Sequence, residues 1–298
     1  MAESLDTLCG SFKRHLRAEG KSERTGVLYG ISVQQFSDWL TEHDQPTTLD
    51  ELTRTNIREW LATLAESREP STVRTRFAGL RRFCGWLVTE RELTEHPMAG
   101  MVAPTPTEKS VPVLDDSELA ALIAACAGRD FNSRRDEALI RLLLDTGVRV
   151  SEVCGLAVVD VDLDREMALV TGKGKKVRPV YLSTRTVRAV DRYLRERRRH
   201  RWAHLATLFV TQRGALSTDG ARERIKVRAA QAGIKDRMHP HRFRHTFAHD
   251  YLINGGQERD LKRLAGWSSD VMLERYGASA ADMRAREATR RLRRGDRV

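Results

Sequence analysis

The sequence has few cysteines and no long apolar run, and each of these absences excludes a class of protein. Its four cysteines, Cys9, Cys84, Cys126 and Cys154, are far apart and form no CxxC pair. This spacing argues against a disulfide framework and against structural zinc of the paired-cysteine kind. No stretch approaches the roughly 18 apolar residues of a membrane-spanning helix, and no N-terminal secretory signal is visible. We therefore expect a cytoplasmic protein that does not enter a membrane.

Acidic residues are also fewer than basic residues. The 298 residues contain 52 lysines and arginines against 41 acidic residues, a formal net charge of +11. Most of these cations are arginines, whose planar guanidinium groups bind phosphate through two parallel hydrogen bonds. The surplus predicts a polyanionic partner, with a basic protein that binds none as the alternative.

The first 90 residues have the apolar spacing of helices, with no strand-like alternation. Helices are predicted over 22–40 and 56–65, followed by a third that Ser71 caps. On this third helix Arg74 and Arg76 lie off the apolar stripe, on a basic face. Such a face either enters a DNA groove or is only solvated.

Prolines and glycines then interrupt the helical pattern and indicate a linker. They divide the chain into a helical domain at 1–92, a linker at 93–112 and a second domain at 113–298. Within the second domain, 167–171 and 177–182 are predicted strands joined by a hairpin turn, and the pattern after residue 184 is helical. The fold class is therefore mainly α with a small antiparallel β-sheet (α+β).

Two segments of the second domain each carry a basic side chain, Arg149 or Lys173, in a predicted turn. Arg149 follows Gly147, which is predicted to end one helix, and precedes Ser151, which is predicted to cap the next. Glu152 is near enough to orient Arg149, although a simple surface ion pair is the alternative. Lys173 lies in the glycine-containing hairpin turn, where it either meets a phosphate or is only solvated.

A third segment carries His241, His245 and His249 at helical spacing, which raises the possibility of a metal site. The interleaved Arg242 and Arg244 are electrostatically unfavourable for a cation and suit an anion instead. We therefore predict no metal. The fourth segment, 264–277, contains Trp267 and ends in a predicted short helix with Tyr276 in its last turn. Tyrosine is a poor nucleophile unless cations stabilise its anion.

Taken in order, these segments resemble the tyrosine recombinase family, which includes the phage integrases and Xer-like recombinases. The boxes that carry the resemblance are LDTGVRVSE, TGKGKK, HPHRFRHTFA and LAGWSS…RYG, and the N-terminal helices resemble its SAM-like core-binding domain. The resemblance implies an N-terminal core-binding domain and a C-terminal catalytic domain. No separate arm-binding domain is expected, because the core-binding pattern begins close to Met1.

The resemblance also implies a role for each matching residue. Tyr276 corresponds to the nucleophile that attacks a DNA phosphodiester and leaves a 3′-phosphotyrosyl bond. Lys173 corresponds to the general acid for the leaving 5′-oxygen, and His241 to the group that helps accept the tyrosine proton. Arg149 and Arg244 correspond to the pair that clamps the non-bridging phosphate oxygens. Trp267 occupies a position where the family uses histidine, more commonly, or tryptophan, and its indole can donate one hydrogen bond and pack but cannot shuttle a proton. Glu152 would orient Arg149 without itself belonging to the catalytic set.

By the same resemblance, the partners are double-stranded DNA attachment sites, bound by a homotetramer, with an excision factor or a host DNA-bending protein as further candidates. No cofactor is expected. The candidate DNA-contacting residues are Arg74, Arg76, Lys175, Lys176 and Arg178. The C-terminal segment after Tyr276 either packs on a neighbouring subunit or remains a solvated basic tail.

The predicted function is site-specific recombination, as an integrase of a phage or other mobile element. A Xer-like resolvase of chromosome or plasmid dimers is the nearest alternative. A relaxing type IB topoisomerase and a catalytically silent DNA-binding regulator remain as further ones. The regulator is disfavoured because each position of the catalytic set holds a residue that the family uses there.

Overall fold

The computed structural model describes residues 3–105, 112–234, 238–292 and 295, apart from the side chains at 173, 274–276, 278–280 and 282–283. The chain divides into two compact units, 1–109 and 110–298. None of the helices in the described part of the chain combines the length and the apolar character needed to cross a bilayer.

The first unit is a bundle of four helices: α1 (Leu5–Ala18), α2 (Glu23–Glu42), α3 (Arg54–Ser67) and α4 (Pro70–Thr89). Hydroxyl side chains at the N-caps of the first three helices, Ser4, Ser22 and Thr53, each accept a hydrogen bond from a backbone N–H in the first turn. The core is rich in aromatic rings, with Phe12 packed against Phe83 and Trp86. The prediction of a helical N-terminal domain is confirmed.

Two details of this unit differ from the sequence-based expectation. Helix α4 begins at Pro70 with Glu69 at its N-cap, so Ser71 lies inside the helix rather than capping it. Proline suits the first helical position because its missing N–H has no partner there in any helix. The unit also extends past residue 92, since Met98 is fully buried in its core. Residues 106–111 of the predicted linker lie outside the described residues.

Among its described residues, the second unit contains eight further α-helices and two small antiparallel sheets. A three-stranded sheet has the order β1 (Val161–Asp162), β2 (Met167–Thr171) and β3 (Val177–Tyr181). Pro179 lies on the edge strand β3 and pairs with Leu169 on β2. An edge strand suits proline because proline has no N–H to donate to a further strand. The helices are α5 (Asp116–Ala124), α6 (Phe131–Thr146), α7 (Val150–Cys154), α8 (Thr184–Arg197), α9 (Thr218–Gln231), α10 (Pro240–Ile253), α11 (Glu258–Ala265) and α12 (Asp270–Leu292).

The expectation that everything after residue 184 is helical is wrong in one place. A short hairpin of β4 (Val210–Thr211) and β5 (Gly214–Ala215) lies between α8 and α9. Two-residue strands are too short to produce a visible alternation of apolar and polar residues. The predicted short helix ending at Gly277 is also wrong, because α12 continues through Gly277 to Leu292.

The core of the second unit is centred on α6, which packs against both α8 and α10. A buried carboxylate holds α9 to this helix. Asp136 accepts hydrogen bonds from Arg135, Arg224 and Arg228 at 2.7 to 3.1 Å. Its side chain is only 1% exposed. The three guanidinium groups are what make an ionised carboxylate tolerable at this depth.

Candidate active site

The corner between α6 and α7 fixes the backbone of Arg149. Helix α6 ends at Gly147, which has a φ of 56° in the left-handed region, as predicted for a helix stop. A Cβ at this position would overlap the ring of Phe247, so a glycine is required on two grounds. Arg149 itself, rather than the predicted Ser151, occupies the N-cap of α7.

Glu152 receives hydrogen bonds from two arginines. Its Oε2 accepts from the backbone N–H of Arg149 at 2.9 Å and from Nη2 of Arg178 at 2.9 Å. Its Oε1 accepts from Nη1 of both arginines, at 3.0 and 3.2 Å. Burial of this side chain opposes its ionisation, but the hydrogen bonds and charges of Arg178 and Arg149 outweigh burial and lower the pKa of Glu152. The ionised carboxylate therefore anchors both guanidinium groups.

Arg178 connects three elements of the site. Besides its bonds to Glu152 on α7, its Nε donates to the carbonyl of Leu264 on α11 at 2.8 Å. All three nitrogens of its guanidinium group already donate hydrogen bonds within the protein, so few donors remain for a DNA backbone. This placement favours a positioning role over the DNA contact that the sequence predicts. Strand alternation was the missed signal, since Arg178 shares the inward face of β3 with buried Val180.

Replacing Arg178 by methionine should separate these two roles. Methionine keeps the apolar stem but removes the bonds to Glu152 and Leu264. We expect the single-turnover cleavage rate to fall by about 10- to 100-fold through misplacement of Arg149. The affinity for DNA and its salt dependence should remain as in the wild type. Cleavage of a nicked substrate and filter binding across a salt series measure both quantities.

Lys176 is the control, because it is exposed on the same hairpin. Lys176→Met should reduce the salt dependence of binding, as loss of a phosphate contact does. A reduction of equal size in Arg178→Met would show that Arg178 contacts DNA after all.

Arg244 on α10 is held from two sides. Its Nη1 donates to the carbonyl of Gly147 and its Nη2 to the carbonyl of Ala265, both at 2.6 Å. The residue is only 1% exposed, and its guanidinium carbon lies 5.2 Å from the centre of the Trp267 ring. Because Gly147 is two residues before Arg149, these bonds fix the spacing between the two arginines.

Trp267 follows the end of α11 and is buried in a small apolar cluster formed by Ala248, Leu252, Leu261 and Ala265. Gly266, with a φ of 65°, ends α11 and turns the chain towards the tryptophan. The indole supports Arg244 by a cation–π contact in addition to any hydrogen bond it donates. Its placement beside Arg244 agrees with a role at the phosphate.

His241 lies in the first turn of α10, three residues before Arg244. Its pKa is lowered by partial loss of hydration and by the positive charges of His239, Arg244, Arg149 and Arg222. The imidazole is therefore neutral at pH 7 and able to accept a proton. The charges of Arg149 and Arg244 both act on the His241 ring, so the three side chains share one electrostatic environment.

This environment predicts a pH dependence. A base works only when unprotonated, so activity should be lost as the pH falls through the pKa of His241, which lies below the usual 6.5. The acid limb of the cleavage profile should therefore lie below pH 6.5. Removing the nearby charge in Arg222→Gln should raise this pKa and shift the limb to higher pH. An acid limb that persists unchanged in His241→Gln would exclude His241 as the titrating group.

Arg222 on α9 was missed by the sequence reading, because nothing local links it to His241, 19 positions away. By contrast, Lys175 and Lys176 lie exposed on the hairpin turn, as expected for DNA-contacting residues. The side chains of Lys173 and Tyr276 lie outside the described part of the chain. Their backbones are in the turn between β2 and β3 and in α12.

Arg74 and Arg76 belong to the first unit, on α4. Arg74 is exposed, in keeping with a DNA contact. Arg76 is half-buried, and its Nε and Nη1 atoms are enclosed without a hydrogen-bond partner in the described part of the chain. Burial, followed by the charge of Arg68, lowers the pKa of Arg76.

No cluster of three or more metal-ligating side chains occurs among the described residues. His245 is buried on α10, whereas His241 is exposed at the start of the same helix. The hydrogen-bond donors that meet near Arg149 and Arg244 are cationic or neutral, and the Glu152 carboxylate beside them already accepts hydrogen bonds from Arg149 and Arg178. Such a group of donors suits an anion with several oxygen atoms, such as a phosphodiester.

Comparison with known proteins agrees with this chemistry. Residues 112–283 match the phage integrase family, and residues 8–95 match the N-terminal SAM-like domain of phage integrases. The chain belongs to the phage integrase family of tyrosine recombinases. It is a site-specific DNA recombinase, and the predicted family, fold class and enzyme activity are confirmed.

The relatives of this recombinase include Xer proteins of similar length. Tyrosine recombinase XerC of Myxococcus xanthus is 30% identical over 281 residues, which cover 92% of this chain and 93% of XerC. Tyrosine recombinase XerD of Bifidobacterium longum is 29% identical over 292 residues, which cover 93% and 94%. The fold resembles that of the XerH recombinase bound to difH substrate, with a TM-score of 0.76 at 18% identity over 91% of this chain and 81% of XerH.

Proposed function

We propose that this recombinase cuts one DNA strand at a time by attack of Tyr276 on a phosphodiester. The phenolic oxygen bonds to phosphorus and the 5′-oxygen leaves, which gives a 3′-phosphotyrosyl bond and a free 5′-hydroxyl. His241 takes up the phenolic proton, and Lys173 supplies a proton to the departing oxygen. Religation reverses these steps, so the energy of the phosphodiester is kept in the covalent bond and no nucleotide is consumed.

Arg149 and Arg244 hold the non-bridging oxygens in this proposal. The observation that carries it is their shared environment with His241, together with the fixed spacing that the Gly147 carbonyl imposes. Negative charge accumulates on the phosphate in the transition state, and donors oriented beforehand stabilise that state more than the ground state. Glu152 and Arg178 hold Arg149 in place, and Trp267 supports Arg244.

The partner in this proposal is a double-stranded DNA site, bound by a homotetramer in the cytoplasm. Two solved structures of related proteins support this partner. Related structures include a XerH recombinase bound to difH DNA and a lambda integrase tetramer bound to a Holliday junction. The biological role is integration or excision of a mobile element, in which an excision factor or a DNA-bending protein sets the direction. Dimer resolution is the second candidate, favoured by the XerC and XerD relatives.

A nicked suicide substrate tests the chemistry. Nicking next to the cleavage point lets the short 5′-hydroxyl fragment diffuse away, so the covalent adduct accumulates. We expect an adduct with the wild type in the presence of EDTA and none with Tyr276→Phe. Salt-sensitive DNA binding by both proteins without any adduct would contradict the proposal and indicate a DNA-binding regulator.

A further inference from the structure

A row of arginines follows the exposed face of α8, and the proposed cleavage chemistry does not use it. Its members are Arg185, Arg188, Arg192 and Arg195 on the helix and Arg199 just after the helix ends at Arg197, all exposed. At 100° per residue the four helical arginines lie within a narrow stripe along the helix. The opposite face of α8 is buried and contains Ala189, Val190 and Tyr193. The row therefore points away from the core of the unit.

The carboxylates around this row do not neutralise it. Arg192 is paired with Glu137, Arg195 with Asp191 and Arg199 with Glu196. Glu137 and Glu196 are shared with two further arginines, Arg141 and Arg134. Arg185 and Arg188 have no ion pair in the described part of the chain.

Two other carboxylates lie near the N-terminal end of α8, and both are already engaged. Asp145 accepts the backbone N–H of Ser183 at 2.7 Å, and Glu166 accepts the hydroxyl of Thr184 at 3.2 Å. The surface along the helix thus keeps a positive balance, with its two unpaired arginines next to each other.

The row is separate from the candidate active site. The charges that act on His241 come from His239, Arg149, Arg222 and Arg244, and none of these is on α8. Site residues lie on α7, α10 and the hairpin, whereas α8 packs chiefly on α6. A ligand on this row would therefore not occupy the place of the scissile phosphate.

The chemistry of the row fits a phosphodiester backbone. From Arg185 to Arg195 the helix rises about 15 Å, the length of about four base pairs. All its cations are arginines, which bind phosphate through paired hydrogen bonds. No large apolar side chain is exposed on α8, although protein interfaces need such anchors at their centre. A nucleic acid is thus favoured over an acidic protein.

We propose that the arginine row of α8 is a second DNA-binding surface, which holds duplex DNA outside the cleaved site. The bound backbone comes from one of two sources, the flank of the same duplex or a separate duplex. The interaction is independent of base sequence because it is made to phosphates alone.

The test compares two triple variants with the same change of charge. The first removes the row in Arg185→Gln/Arg188→Gln/Arg195→Gln. The control removes three exposed arginines elsewhere in the unit, in Arg129→Gln/Arg165→Gln/Arg213→Gln. One arm measures affinity for the recombination site with and without flanking duplex. The other arm measures capture of a labelled, unrelated duplex by protein already joined covalently to immobilised site DNA.

The row variant should lose affinity in one of the two arms, and that arm identifies the source of the DNA. The slope of log affinity against log salt should become shallower by up to about 2.7, at about 0.9 per phosphate contact. The control should keep the wild-type slope, and all three proteins should cleave the short nicked substrate at the same rate. Failure of that cleavage in the wild type would contradict the proposed function, whereas the affinity arm, which needs no covalent joining, would still test the arginine row.

Equal losses in the two triple variants would overturn the proposal, because net charge alone would then explain them. Unchanged affinity of the row variant in both DNA arms would also overturn it. If, in addition, polyglutamate bound the wild type but not the row variant, the surface would be assigned to an acidic protein instead.

Discussion

Replacing Arg244 by lysine should lower the rate of strand cleavage by about 100- to 1,000-fold, because Arg244 is proposed to hold a phosphate oxygen. Losing one oriented donor to a developing negative charge has an effect of this size. The two Nη atoms of Arg244 bond to the carbonyls of Gly147 and Ala265, which keeps the plane of the guanidinium fixed. A lysine has one ammonium group, which cannot bridge both carbonyls and also face a phosphate. Single-turnover cleavage of the nicked substrate at saturating protein measures the loss.

The matched control is Arg242→Lys. Arg242 is on the same helix and is also 1% exposed, but its guanidinium bonds to the carbonyls of Pro112 and Val113 and to Glu118. Its replacement should reduce the stability of the second unit while the folded fraction still cleaves at close to the wild-type rate. If the two variants lost cleavage in proportion to lost stability, Arg244 would have no special part in the chemistry.

Replacing Asp136 by alanine should reduce the free energy of unfolding of the second unit by about 3 to 5 kcal/mol. Removing one partner of a buried ion pair leaves the other charge without compensation, and costs of this order follow. Here three guanidinium groups, on Arg135, Arg224 and Arg228, lose their common acceptor at once. Urea unfolding of the full chain, followed through hydrogen exchange of the backbone amides of α6 and α9, reports the change in this unit.

Asp191→Ala supplies the comparison for burial. Asp191 also pairs with an arginine at 2.8 Å, but its side chain is 47% exposed, so water screens the interaction. The loss should be at most about 1 kcal/mol. Similar losses in the two variants would mean that the Asp136 cluster is no more important than a surface pair.

The local features of the site were accessible from the sequence. Gly147 as a helix stop and the 167–181 hairpin depend on neighbouring residues alone, and the structure has both. The Asp136 cluster joins residues 88 and 92 positions apart, and no local pattern reports such a pairing. Arg178 was predictable in part. The alternation along β3 shows that its side chain faces inward, but no sequence pattern shows that it bonds to Glu152 and to the carbonyl of Leu264.

In the proposed reaction, the length of α12 before residue 276 would set where the nucleophile is attached. Because the backbone of residue 276 is in the interior of a continuous helix and not in a loop, the position of its Cα around the helix axis is set by counting residues from Asp270. One inserted residue would turn the position by about 100° and advance it by about 1.5 Å. Directed evolution of this recombinase should therefore tolerate substitutions between 270 and 276 far better than single-residue insertions, whereas loops elsewhere should accept both.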